Sequence, residues 1–154
     1  LTPHPGEFRR LFPDLAGGLE LDPWTAASGA AELLGATLLV KGVPSVVAAP
    51  GLAPVTVASG NPGLATGGSG DVLSGITGSF LAQGQAPVAA VALAAQALGR
   101  AADLAARRTT ARGLRPMDVI AALPDVWRGW ESLRLVRPAP RPHILLELEV
   151  PQRW

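Results

Sequence analysis

Hydrophobic positions in the first forty residues predict two helices followed by a strand. Apolar residues recur on one helical face over residues 7–12, and Pro13 is expected to end that helix. Asp22-Pro23 combines a favoured N-cap with proline at the first helical position, so a second helix should run to Gly35. Residues 37–40 form a short, apolar and partly β-branched run. Such runs are typical of strands buried on both faces of an α/β sheet.

Two more short strands are predicted before a long glycine-rich segment. Residues 46–48 and 54–57 have strand-like composition, and the Pro50-Gly51 pair between them favours a turn and a hairpin. Residues 59–70 contain five glycines and a proline, too many flexible positions for the interior of a helix or strand. This segment is therefore predicted to be a loop.

Helical spacing of apolar residues resumes after the loop. One helix should begin at or near Asp71 and end at Gly84. A second should follow Pro87 and bury a stripe made of Val88, Val91, Ala95, Leu98, Ala102 and Ala105. Residues 116–123 suggest a third, and the spacing of Trp127 and Trp130 favours packing over ligand stacking.

The order of these elements predicts a layered α/β fold with helices flanking the sheet. Residues 1–136 are expected to form one domain and residues 137–154 an unassigned proline-rich tail. Within that tail, residues 137–142 are a candidate linker and residues 144–148 have strand-like composition.

Charge and composition narrow the classes of function. Charged residues make up 16% of the chain and the net charge is +1, without a basic block, which argues against nucleic-acid or membrane-surface binding. The chain has no cysteine, which excludes disulfides and thiolate metal sites and is compatible with a reducing compartment. The most apolar stretch, residues 86–98, is too short to span a bilayer and is interpreted as a buried helix.

The beginning of the sequence resembles the inside of a loop. Residues 2–6 have no basic region, apolar segment or cleavage site, so no signal peptide is expected and a cytoplasmic location is favoured. Because the first residue is Leu1, we expect that a segment before it has been removed or split off.

The strongest chemical signal is the glycine-rich loop that runs into a helix. Glycines let a backbone approach an anion closely, and the N–H groups and dipole of a helix N-terminus stabilise negative charge. The predicted anion hole consists of Gly67, Gly68, Ser69 and Gly70. Asp71 at its mouth could take a proton from a substrate hydroxyl, or it could simply cap the helix. The pattern alone favours neither role. The loop matches neither the P-loop nor the dinucleotide-binding glycine motif.

Three runs in order along the chain resemble the signatures of the NAD(P)H-hydrate dehydratase family. They are residues 1–7 (LTPHPGE), residues 39–42 (LVKG) and residues 60–73 (GNPGLATGGSGDVL). The resemblance covers roughly residues 1–130 and implies the C-terminal part of a ribokinase-like fold. It also implies that the family domain is about twice as long as this chain, with part of the hydrate pocket in the missing N-terminal half.

The resemblance implies repair of the hydrated nicotinamide cofactors NADHX and NADPHX. ADP or ATP phosphorylates the C6 hydroxyl, and loss of phosphate restores NADH or NADPH. Asp71 would deprotonate that hydroxyl, His4 would contact the hydrate, and Mg²⁺ would neutralise the phosphates. The implied nucleotide-binding residues are Lys41, Gly42, Val43, Pro44, Ser45 and Gly70. A homo-oligomer and an attached epimerase domain are further expectations.

Simpler interpretations stand beside these assignments. His4 could be a solvated loop residue, Lys41 a solvated charge at a strand end, and Glu7 a residue that only favours a helix start. The family commonly has a His-Gly pair where this chain reads Ala97-Leu98-Gly99-Arg100, so one nucleotide-side contact is expected to be absent. Two other functions stay open: a ribokinase-like kinase of a small alcohol or vitamin precursor, and an inactive remnant or assembly partner with an exposed sheet edge.

Overall fold

The computed structural model describes residues 1–135, and these residues form an α/β fold. The tail proposed for residues 137–154, with its candidate linker and strand, lies outside the described residues. The helices are α1 (Pro5–Leu11), α2 (Gly18–Leu21), α3 (Pro23–Leu34), α4 (Ser69–Ala82), α5 (Pro87–Arg108) and α6 (Pro116–Leu135), and 3₁₀ turns span Pro13–Leu15 and Pro62–Leu64. The strands are β1 (Leu38–Val40), β2 (Ser45–Ala48) and β3 (Val55–Val57).

The three strands form one antiparallel sheet in the order β1-β2-β3. Leu39 is paired with Val47, and Val46 with Thr56, so the predicted hairpin across Pro50-Gly51 is confirmed. All three residues of β1 are buried, as the sequence predicted. Residues 1–3 run alongside β1 in the parallel direction, because Leu39 N–H donates to the Leu1 carbonyl (2.8 Å) and Lys41 N–H to the Pro3 carbonyl (2.9 Å).

Helices cover both faces of this sheet, which confirms the layered architecture. Successive residues of a strand point to opposite faces, so Leu38 and Val40 pack with α1 and α3 while Leu39 packs with α4, α5 and α6. The predicted stripe of α5 is buried except for Val88, which is partly buried against the same cluster. The expectation that this apolar segment is too short to span a bilayer is wrong, because α5 has 22 residues and is long and apolar enough to cross a membrane. However, 56% of its most apolar window is buried in this fold, as in a core helix.

Most helix boundaries agree with the sequence, and three differ. Asp22 caps α3, and Gly35 ends it with φ 60°. However, α1 begins two residues earlier than predicted because His4 caps it, and α4 begins two residues before Asp71 because Gly68 is its N-cap. α6 continues past the predicted end at Leu123, through Pro124.

Packing accounts for the continuation of α6. Proline removes one backbone donor inside a helix, yet Trp127 and Trp130 lie one and two turns beyond it and pack together with ring centroids 5.1 Å apart. Trp127 also meets Phe80 of α4 edge-on at 5.9 Å. The packing role predicted for these two tryptophans is confirmed.

Candidate functional site

The glycine-rich loop leaves β3 and is held by two side chains. Asn61 Oδ1 accepts the Gly63 N–H (2.9 Å), and Asn61 Nδ2 donates to Asp103 Oδ1 on α5 (3.0 Å). Gly63 lies so close to the α5–α6 connection that a Cβ there would be 2.5 Å from the Ala111 carbonyl oxygen. The first part of the loop is therefore fixed against α5 and cannot accept a larger residue at Gly63.

The second part of the loop turns directly into α4. The Ser69 hydroxyl contacts the carbonyl oxygens of Leu64 (2.7 Å) and Thr66 (3.0 Å), so this side chain secures the loop. Gly68 adopts φ 89°, a conformation that glycine reaches without strain. Within residues 1–135 the backbone N–H groups of Gly67, Gly68 and Gly70 have no hydrogen-bond acceptor, so they are available to an anion.

A short turn after β1 lies opposite the start of α4. The Ser45 hydroxyl donates to the Gly42 carbonyl (3.2 Å) and accepts the Gly42 N–H (3.3 Å), which closes the turn. Lys41 begins this turn, and its Nζ lies 3.6 Å from the point where a Cβ on Gly70 would be. The lysine ammonium thus lies beside the first turn of α4, where the helix dipole is positive.

His4 lies beside Lys41 and has a defined role in the chain. Its Nδ1 accepts the N–H groups of Gly6 (3.0 Å) and Glu7 (3.2 Å), while Glu7 Oε2 accepts the His4 N–H (2.7 Å). This reciprocal pattern is a capping box for α1. The hydrogen bond from the His4 N–H is the main cause that lowers the pKa of Glu7, and Lys41 lowers it further. Glu7 is therefore ionised at neutral pH.

These elements enclose a cleft of about 670 Å³. Its floor is apolar and includes Leu39, Val57, Leu73 and Leu98, with Ser59 and Gly60 on one side. The predicted site residues that line it are His4, Lys41, Gly42, Val43, Pro44, Ser45, Ser69 and Gly70. A cleft with an apolar floor, one ammonium group and the free N–H group of Gly70 is suited to a ligand with a flat ring and an anionic end.

The other predicted site residues lie outside the cleft wall. Gly67 and Gly68 are exposed and do not line it. Asp71 is also exposed and points away from the side of α4 that carries Leu73, because residues two apart on a helix are separated by about 200°. Its N–H donates to the Gly68 carbonyl (3.1 Å), and its carboxylate has no hydrogen-bond partner in the described part of the chain. Since Gly68 is the N-cap, the helix-cap interpretation of Asp71 is wrong.

Gly99 shapes the wall of the cleft, although it was not among the predicted site residues. A Cβ on Gly99 would lie 2.5 Å from the Ser59 carbonyl carbon and 2.8 Å from the Gly60 nitrogen. α5 therefore packs directly against the backbone that forms one wall of the cleft. A lone glycine inside an alanine-rich helix was the available signal, since such a glycine often marks a close backbone approach.

Three comparisons with known proteins agree with one another. A family model described as NAD(P)H-hydrate dehydratase matches residues 1–125. The bifunctional NAD(P)H-hydrate repair enzyme of Moorella thermoacetica is 42% identical over 132 residues, which cover 86% of this chain and 25% of that protein. The ADP-dependent (S)-NAD(P)H-hydrate dehydratase of Neisseria meningitidis is 43% identical over 104 residues, or 68% of this chain and 35% of that protein.

A solved structure extends the likeness to three dimensions. The ADP/ATP-dependent NAD(P)H-hydrate dehydratase of Bacillus subtilis, crystallised with ATP and Mg²⁺, superposes with a TM-score of 0.77 at 33% identity. The match covers 83% of this chain and 46% of that one. The chain thus spans a quarter to about half of the proteins it resembles.

Proposed function

This chain belongs to the NAD(P)H-hydrate dehydratase family, which has a ribokinase-like fold, and we propose that it carries the nucleotide-binding part of such an enzyme's site. The enzyme would restore NADH or NADPH from the hydrates NADHX and NADPHX with ADP or ATP. The observation that carries the proposal is the cleft, in which Lys41 faces Gly70 at the start of α4.

The cleft suits both the ring and the phosphates of an adenine nucleotide. The apolar floor would take the ring, with the turn formed by residues 41–45 beside it. Lys41 and the N–H group of Gly70 would hold the phosphates, because an ammonium group and a helix N-terminus both stabilise anions.

Asp71 would act on the other substrate. It lies one residue from Gly70 but does not line the cleft, so the C6 end of the hydrate would lie at the edge of the cleft, next to the phosphates held at Gly70. The carboxylate would take the proton of the C6 hydroxyl while that oxygen bonds to the terminal phosphorus of the nucleotide, whose bond to the bridging oxygen breaks so that AMP leaves when ADP is the donor. The C6–O bond would then break with release of phosphate, and loss of a proton from C5 to solvent would form the C5–C6 double bond of the reduced nicotinamide ring. His4, on the cleft wall, would contact the hydrate.

A divalent cation fits this arrangement only together with the nucleotide. No group of three or more His, Asp or Glu side chains capable of holding a metal occurs among residues 1–135. Mg²⁺ usually keeps several waters and is bound largely by substrate phosphates, so the ion would arrive with the nucleotide. When bound, the ion would neutralise phosphate charge.

Several features of the whole protein are also proposals. We propose that further segments, corresponding to the remaining length of the relatives, complete the hydrate pocket over the exposed side of Asp71. An epimerase domain, a homo-oligomeric state and a cytoplasmic location are proposed on the family resemblance.

Product analysis separates the proposed dehydratase from a kinase of a small alcohol. A dehydratase that is given NADHX, ADP and Mg²⁺ is expected to form NADH, AMP and inorganic phosphate in equal amounts. Absorbance of the reduced nicotinamide and a phosphate assay measure these products, on this chain or on a longer polypeptide that contains it. A stable phosphate ester with no recovery of NADH would instead identify a kinase.

A further inference from the structure

One carboxylate contacts two residues of the cleft without lining the cleft itself. Glu7 Oε1 lies 3.4 Å from His4 Nε2, and Glu7 Oε2 lies 3.8 Å from Lys41 Nζ. The same Oε2 accepts the backbone N–H of His4 at 2.7 Å. Glu7 is thus placed between the residue assigned to the hydrate and the residue assigned to the nucleotide.

The contacts of His4 determine which of its ring nitrogens carries hydrogen. Nδ1 accepts two backbone N–H groups, from Gly6 and Glu7, and an accepting nitrogen carries no hydrogen. The hydrogen of the neutral ring is therefore on Nε2, which faces Glu7 Oε1. The two backbone N–H groups on Nδ1 fix the rotation and the tautomer of this imidazole, and the Glu7 carboxylate lies beside its Nε2 edge.

Glu7 also restrains Lys41. The lysine side chain is 31% exposed, and Glu7 is its only ion-pair partner among residues 1–135. A lysine ammonium on its four-carbon stem has no rigid geometry of its own, so the position of its charge depends on its neighbours. Loss of the Glu7 charge is therefore expected to release the ammonium from its position beside Gly70.

We propose that Glu7 is a positioning residue for the reaction. Its charge holds the Lys41 ammonium beside the start of α4 and lies next to the Nε2–H edge of His4, so that one carboxylate acts on residues of both sides of the site. The proposal rests on the proposed function, because that function assigns the nucleotide to Lys41 and the hydrate to His4.

Glu7→Gln separates this role from helix capping. Glutamine keeps an oxygen that can accept the His4 N–H, so the capping box and α1 should remain. It removes the negative charge that Lys41 faces. If Glu7 only favours the helix start, the substitution leaves Lys41 unchanged.

Lys41 is the only lysine in the chain, so its ammonium can be observed directly. Reductive ¹³C-methylation keeps its charge and gives one lysine methyl resonance, assigned by its loss in Lys41→Arg. In Glu7→Gln we expect this resonance to move toward the position found in unfolded protein and to narrow as the side chain gains motion. The matched control is Glu20→Gln, which breaks an ion pair with Arg9 away from the cleft and should leave the resonance unchanged.

ADP affinity provides the second measurement. A partly exposed ion pair contributes little free energy, so Glu7→Gln should weaken ADP binding only about threefold. The thermal unfolding midpoint of the protein should be preserved. An unchanged Lys41 resonance in Glu7→Gln would overturn the positioning role, whatever the affinity. The two proposals can fail separately. If the Lys41 resonance shifts in Glu7→Gln but the wild-type chain does not bind ADP, the positioning of Lys41 is supported and the nucleotide site is contradicted.

Discussion

Replacing Asp71 with asparagine is expected to lower the dehydration rate by about 10²–10⁴-fold, the range over which a positioned general base contributes. Asparagine has nearly the same shape but cannot accept the proton of the C6 hydroxyl. The side chain is exposed and its carboxylate has no hydrogen-bond partner within residues 1–135. The free energy of unfolding should therefore change by no more than about 0.5 kcal/mol.

Recovery of reduced-nicotinamide absorbance measures this loss, on this chain or on a longer polypeptide that contains it. ADP binding should persist in Asp71→Asn, because Asp71 does not line the cleft. Asp14→Asn, in the 3₁₀ turn Pro13–Leu15, is the control for removal of an exposed carboxylate elsewhere and should keep the wild-type rate. Wild-type turnover by Asp71→Asn would remove the residue from the catalytic mechanism.

The second large effect is expected from Gly99→Ala. Alanine is favoured over glycine in a helix by about 1 kcal/mol, so helix propensity alone would stabilise the protein. The added Cβ, however, would lie 2.5 Å from the Ser59 carbonyl carbon and 2.6 Å from its oxygen. Overpacking against such contacts costs about 1–3 kcal/mol, and here the neighbours are backbone atoms that cannot rotate away. The clash should exceed the gain.

We therefore expect Gly99→Ala to destabilise the chain and to weaken ADP binding, because Ser59 and Gly60 line the cleft. Chemical denaturation and calorimetry measure the two effects. Gly129→Ala on α6 is the matched control, since nothing lies within 4 Å of its added Cβ. It should stabilise the protein by about 0.5–1 kcal/mol and leave ADP affinity unchanged. Equal stability changes in the two variants would show that the contact with Ser59 is unimportant.

The sequence predicted those elements whose signals are local. The cap and the glycine of α3 and the buried run of β1 each depend on a few adjacent residues, and the structure places them as expected. The start of α4 was displaced because its N-cap is Gly68, which has no side-chain cap and leaves no polar signal. α6 was predicted too short because Pro124 is a local helix breaker, whereas the packing of Trp127 against Phe80 is a tertiary contact.

The same difference between local sequence signals and tertiary contacts applies to the candidate site. The family resemblance assigned His4, Lys41 and Gly70 to one site, and the structure places them on one cleft although they are far apart in the sequence. Helical periodicity could not tell which side of α4 faces that cleft, since this depends on the packing of α4 against α5. The contact between Glu7 and Lys41 joins residues from two elements, and its only local signal was an acidic residue in the first turn of α1.

The most direct test of the central claim is a calorimetric titration of the 154-residue chain with ADP and Mg²⁺. We expect saturable binding by the wild-type chain and a large loss of affinity in Gly70→Val, whose side chain would project toward the Lys41 ammonium. Circular dichroism establishes that both proteins are folded. A folded wild-type chain that binds neither ADP nor ATP would contradict the nucleotide site and would favour an inactive remnant or assembly partner.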